Sequence, residues 1–332
     1  MYEPQTYGTA LCLMIVSMLS WGSWANTMKF VPQWPFQLFY WDYVLGVILV
    51  SLVAGLTLGS LDDGPESFMM DLRSAGTLEL GYALAAGAVF NIANLLLVAT
   101  ISIAGLAVAF PIGIGLALVV GVILNYVLSP TGSPLLLFGG IVLVSSAIVV
   151  DALAFKRRGT TASAQGSRGI WLSIACGLLM GSFFPLVTRA AAGPAGLGPY
   201  AVATVFGCGV LLCAIPANFY LMRRPITADS PTSMGQYFAG GICEHLSGIM
   251  GGTIWGLGAI CSFVAAHASI VGPAISYAMG QGATMVSAAW GVFVWREFAD
   301  APVGARRLLA PMFILFILGL TAVAIAPLVA KA

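Results

Sequence analysis

Apolar runs of roughly 18–25 residues, separated by short polar stretches, follow one another from end to end of the chain. About 20 such residues, wound as a helix, cover the hydrocarbon thickness of a bilayer. Ten runs are read: 8–28, 36–58, 78–100, 103–127, 134–153, 169–189, 199–221, 238–265, 269–294 and 307–328. The eighth is too long for one straight span. Its first part, around Met234–Ser247, is expected to lie at the interface or to re-enter. The predicted fold class is an all-α membrane protein with ten transmembrane helices.

The pattern also repeats. Phe110-Pro111-Ile112-Gly113-Ile114-Gly115-Leu116-Ala117 has a counterpart in Tyr277-Ala278-Met279-Gly280-Gln281-Gly282-Ala283-Thr284. Leu19-Ser20-Trp21-Gly22-Ser23-Trp24 echoes Leu178-Leu179-Met180-Gly181-Ser182-Phe183. Five spans on either side of a central linker make the second copy run upside down relative to the first. The expected organisation is a first five-helix repeat at 1–155, a linker at 156–168 and an inverted repeat at 169–332. Inverted repeats suit carriers that alternate access around a midplane site.

Charge sets the orientation. Lys29, Lys156, Arg157, Arg158, Arg168, Arg223, Arg224, Arg296, Arg306 and Arg307 all fall in alternate loops. The other side carries Arg73, Arg189 and Lys331 beside acidic Glu3, Asp62, Asp63, Glu66 and Asp71. The positive-inside rule therefore puts the central linker in the cytoplasm and both termini outside.

Composition narrows the class further. The 332 residues are 60% hydrophobic and 8% charged, whereas a soluble domain carries about a quarter charged residues. The net charge of +1 gives no reason to expect a nucleic-acid partner. The six cysteines lack metal-ligand spacing, and the first residues lack the basic start of a cleavable leader. Gly159–Arg168 lacks the lysine and spacing of a P-loop. With only His245 and His267, and no triad or metal pattern around them, an enzyme is not expected, nor a metal or cofactor. The pattern carries no signature of oligomeric state.

Polar residues inside apolar runs are few, so each is a candidate. Asn91 and Asn94 share a helical face, as do Tyr277 and Gln281. Amides inside a bilayer need partners, which a hydroxylated or amide-rich solute supplies; interhelical hydrogen bonding is the structural alternative. Trp24 and Trp255 offer flat faces to a sugar ring or heterocycle, whereas Tyr40 and Trp41 suit an interfacial belt. Asp42, Glu244 and His245 are the ionisable residues placed to exchange a coupling proton, with a headgroup location as the alternative. Pro111, Gly113, Gly115, Gly280 and Gly282 mark the hinge expected in the repeated motif. Gly248, Gly252 and Gly256 form a small-residue ridge for helix packing.

Met1-Tyr2, Trp21-Gly22-Ser23-Trp24, Tyr40-Trp41-Asp42-Tyr43, the Asn91–Asn94 region and the glycine-proline helix after it resemble the ureide permeases. The same landmarks resemble the glucose/ribose uptake and L-rhamnose–proton symporter families, all within the drug/metabolite transporter superfamily. The resemblance implies two inverted five-helix halves and cation-coupled uptake of a small polar solute. The short central loop departs from plant ureide permeases and favours a bacterial sugar-type carrier of the inner membrane. The expected function is proton symport of a monosaccharide, next of a ureide or nucleobase-like compound, with Na+ coupling open. The alternative is a metabolite or drug exporter or exchanger of the same superfamily. The expected partners are the solute and the lipid bilayer.

Overall fold

The computed structural model describes residues 1–61, 67–104, 109–159, 166–225 and 230–329, without the side chains of 102, 104, 110 and 166–168. The acidic run 62–66 and linker residues 160–165 lie outside the described residues. Among the described residues nine helices are long and apolar enough to cross a membrane, so the chain is a multi-pass membrane protein.

The long helices are α1 (Tyr7–Ser23, continued by a 3₁₀ turn Trp24–Phe30) and α2 (Phe36–Leu56). After the short α3 (Phe68–Ser74) come α4 (Thr77–Ala104), a π-helical turn Phe110–Ile114 leading into α5 (Gly115–Leu128), and α6 (Pro134–Arg158). The second part holds α7 (Gly166–Ala190), α8 (Pro199–Arg223), the short α9 (Met234–Phe238) and α10 (Ile242–His267). Then follow α11 (Pro273–Gly280), α12 (Ala283–Ala289), a π-helical turn Trp290–Val294, α13 (Val303–Arg306) and α14 (Leu309–Val329).

The run at 269–294, expected as one span, is instead two short helices and a π turn. Gly272 has φ 78°, Pro273 stands at the first helical position, and the chain leaves the helix at Gln281 and Gly282. Both copies of the Gly-x-Gly motif therefore sit where α geometry stops, the first at the π turn and the second at the break. The excess at the start of the eighth run is also accounted for. Of Met234–Ser247, Met234–Phe238 folds as the separate α9, opened by a capping box between Ser233 and Gln236, while 242–247 begin the long α10.

Helix packing pairs α4 with α7 and α8, and α10 with α1 and α2; α5 packs on α7, α12 on α1, α2 on α8 and α6 on α14. Glycine sets how closely two of these pairs approach. A Cβ on Gly252 would lie 1.8 Å from Tyr43 O, and one on Gly46 would lie 2.2 Å from Ile249 O. At the other interface a Cβ on Gly87 would lie 2.1 Å from Phe206 O, and one on Gly209 2.2 Å from Leu84 O. Gly248 and Gly256 complete the ridge, facing Asp42 and Val50 of α2.

Both ends of the bundle are tied. At the basic end Lys29 and Arg158 each pair with Glu297 at 3.0 Å. At the other end His267 pairs with Glu3 at 2.7 Å, and the Gly198 amide donates to Asp71 at 2.8 Å.

Candidate solute site

The π-rich centre of the bundle surrounds a cavity of about 250 Å³. Its aromatic wall comprises Trp24 from the end of α1, Phe90 from α4, Phe183 from α7 and Trp255 from α10. Phe90 stacks on Trp255 with ring centroids 4.2 Å apart and 28° between planes. Trp21 also stacks on Trp255 at 5.9 Å and donates its indole N–H to the Trp255 carbonyl. Trp255 is thus held by its ring neighbours, with little rotamer freedom left to lose on binding.

Polar groups enter from two elements. Asn94 of α4 lines the cavity, and its Nδ2 donates to Tyr40 Oη at 3.3 Å. The same hydroxyl donates to Asn91 Oδ1 at 2.8 Å. Tyr40 is wholly buried, so it is a strut that orients Asn94 rather than a member of an interfacial belt. Asn91 is also wholly buried and lies behind the wall. Gln281 lines the cavity from the break between α11 and α12, and its side-chain amide makes no hydrogen bond to the described residues. Thr284 and Ser287 share the wall but already donate, to Gln281 O and Gly22 O.

Of the residues expected to meet a solute, Trp24, Asn94, Trp255 and Gln281 are brought together with Gly280 around this one cavity. Tyr277 lies apart. Its ring packs on Gly121, and its hydroxyl donates to Ala117 O at 3.1 Å and Met180 O at 3.3 Å, holding α11 to α5 and α7. Gly113 and Gly115 flank Ile114, which also lines the wall. Pro111 stands within the adjoining π turn. Phe90 and Phe183 were not singled out in the sequence, because a phenylalanine in an apolar run has no contrast with its neighbours.

Asp42 and His245 form a separate centre between α2 and α10. Asp42 is 2% exposed; its Oδ2 meets His245 Nδ1 at 2.9 Å, and its Oδ1 accepts from Tyr237 Oη at 2.7 Å. The edge of Trp34 closes over His245. Burial and the neighbouring Asp42 carboxylate raise the Tyr237 hydroxyl well above its usual range, so it stays a donor. Glu244 is half-buried in the first turn of α10, where a carboxylate favours the helix N-terminus.

A second cavity of about 290 Å³ adjoins the first through Ala25, Ile101, Thr284 and Ser287. It leads to the basic end, where Lys29 and Glu297 line it. Two indoles strap the first helix to the broken segment there: Trp290 donates to Ser23 Oγ at 2.8 Å, and Trp295 to Asn26 Oδ1 at 2.6 Å. Asp151 also lines this second cavity and was passed over in the sequence.

No family model matches the chain. Over 134 residues, 39% of this chain, it is 28% identical to Ureide permease 1 of Arabidopsis thaliana. The match spans 33% of that protein's length. The chain also superposes on a solved crystal structure with a TM-score of 0.60, covering 96% of this chain and 98% of that one at 18% identity. That likeness shows a shared fold.

Proposed function

We propose that this protein is a secondary active transporter that takes up a small polar solute, most readily a monosaccharide and next a ureide or nucleobase-like compound. The carrying observation is the central cavity, where rigid indole faces and amide side chains with spare hydrogen-bonding capacity meet. Indole faces suit the apolar face of a sugar or the plane of a heterocycle, while Asn94 and Gln281 suit its hydroxyl or urea-like groups. At about 250 Å³ the cavity falls below the roughly 300–1,000 Å³ of sites for drug-sized ligands, which favours a small solute over a drug. The similarity to a ureide permease supports the same reading.

The proposed architecture is two inverted five-helix halves, with the broken segment Pro273–Val294 completing the second. Exchanging the halves turns α4 on α7 and α8 into α10 on α1 and α2, so the helix pairings support it. The glycine approaches support it too. Gly46 and Gly252 correspond to Gly209 and Gly87, each meeting the carbonyl that the exchange requires. In this reading the halves rock around the central cavity, and Gly113, Gly115, Gly280 and Gly282 are the hinge, where α geometry already fails.

A proton gradient is the proposed drive; the expectation from sequence puts its carrier among Asp42, Glu244 and His245, of which Asp42 has both oxygens engaged by His245 and Tyr237. The test is uptake by proteoliposomes of labelled monosaccharides, allantoin and nucleobases, with and without an imposed pH gradient. Saturable, gradient-stimulated accumulation of one class is the expected result. Equal fluxes in protein-free liposomes for every probe would defeat the reading.

A further inference from the structure

We propose that Asp151 takes up and releases the coupling proton, from the wall of the vestibule that joins the solute cavity to the basic end. The assignment rests on the transport reading above and deepens it by naming a group no earlier argument used.

Asp151 stands in α6, about two turns before Arg158. It is 4% exposed, lines the 290 Å³ cavity, and its Oδ1 is buried with no hydrogen-bond donor among the described residues. An ionised carboxylate held in that way is strongly disfavoured until it gains a proton or a cation. Asp42 offers a contrast, because His245 and Tyr237 already occupy both of its oxygens.

Among the described residues, neighbouring charges do not neutralise Asp151. Lys29 and Arg158 are both committed to Glu297, the other carboxylate of the vestibule. Among the elements packed on α6, α14 and the Phe110–Ile114 turn carry no ionisable residue. From α5 comes Tyr126, whose ring packs edge-on to Phe138, and from α13 comes the exposed Arg306. Arg157 turns its guanidinium to Gly304 O. A proton needs no oxygen ligand beyond the carboxylate itself, so the proton is the proposed ligand and sodium is an outcome of the test. The shared wall at Thr284 and Ser287 lets the charge of Asp151 be felt beside Gln281.

The test is labelling of the full-length purified protein with dicyclohexylcarbodiimide, which reacts with protonated carboxyls in apolar surroundings, followed by peptide mapping. An adduct on Asp151 is expected to rise several-fold as the pH is lowered from about 8 to about 5.5 and to be absent from Asp151→Asn. Labelling confined to Asp42 or Glu244, no adduct at Asp151 at any pH, or suppression by sodium but not choline chloride at fixed pH would overturn the proposal. For any probe that the wild type accumulates, Asp151→Asn should lose roughly tenfold or more of gradient-driven accumulation while keeping counterflow, and Asp151→Glu should recover part of the drive. Full gradient-driven uptake by Asp151→Asn, or its loss in Asp42→Asn alone, would also overturn it. If the wild type moves no probe, the transport reading fails while the labelling still decides whether Asp151 holds the proton.

Discussion

Two aromatic triads meet at the centre of the bundle, built on the same plan from different side chains. One is Trp24, Tyr43 and Trp255, with Trp24 4.9 Å and Trp255 6.5 Å from Tyr43. The other is Phe183, Phe206 and Phe90, all within 5.5–6.0 Å of one another. Tyr43 and Phe206 each precede a contact glycine by three residues, Gly46 and Gly209; Phe90 and Trp255 each follow one by three, Gly87 and Gly252. The plan is a frame that both halves of the chain can build. The difference is chemistry: one triad carries two indole N–H groups and a hydroxyl, while the other is purely hydrocarbon. The triads touch where Phe90 stacks on Trp255, and each presents rings to the central cavity: Trp24 and Trp255 from one, Phe90 and Phe183 from the other.

The largest effect should come from the frame itself. Gly252→Ala and Gly87→Ala each push a methyl into a backbone carbonyl that has no rotamer with which to yield. Overpacking of this kind costs about 1–3 kcal/mol. Both variants are expected to melt at clearly lower temperature in detergent, and by similar amounts. A loss at Gly252 with none at Gly87 would break the equivalence of the two interfaces.

The next effect separates the triads by chemistry. Trp255→Phe makes the first triad resemble the second while keeping the Phe90 contact, and should weaken uptake of the best solute about tenfold through lost face area and the lost N–H. Phe90→Trp, the reciprocal change, should leave the apparent affinity within about threefold, because Asn94 and Gln281, the amides proposed to meet the solute, are unchanged. Concentration-dependent uptake measures both. Equal losses from the two substitutions would show that the aromatic walls do the same work.

The frame was far more legible in the sequence than the site. Spans are announced by long apolar runs, and glycine ridges by their spacing, because lipid imposes both wherever the helix packs. The run at 269–294 misled because hydropathy measures composition, whereas Gly272, Gln281 and Gly282 break the backbone without reducing it. Asn94 and Gln281, which line the cavity, were singled out because polar residues in apolar runs stand out. Tyr277 stood out equally, yet its hydroxyl serves two carbonyls, a distinction that only packing makes. Asp151 was missed because it precedes the basic Lys156-Arg157-Arg158 and so looks like the end of a span. The residues that share its cavity, on the turn after α1 and in the broken segment, are distant in sequence.

The smallest effect compares the two ends, whose carboxylates should answer pH in opposite directions. At the basic end, burial alone would raise Glu297, but hydrogen bonds and charge from Lys29 and Arg158 bring it below the ordinary carboxylate range. A lowered folded value means stability that is present above the unfolded value of about 4.3 and is lost as pH falls through the folded one. At the other end, burial raises Asp71 against the opposing Gly198 hydrogen bond and the nearby His267. A raised folded value means that the wild type gains stability as pH falls through it, and loses that gain as pH rises. Glu297→Gln should therefore lower the melting temperature at neutral pH, with the deficit closing only at strongly acidic pH. Asp71→Asn should match or exceed the wild type at neutral pH and fall behind it on acidification toward about pH 4. Both shifts should be small, since part-exposed pairs contribute about 0–1 kcal/mol. Melting curves of the three proteins across that range decide the matter, and a Glu297 deficit that opens on acidification would reverse the assigned sign. The ion pair at the basic end would then titrate near neutrality, and gating by Glu297 would compete with Asp151 as the source of any pH-dependent transport.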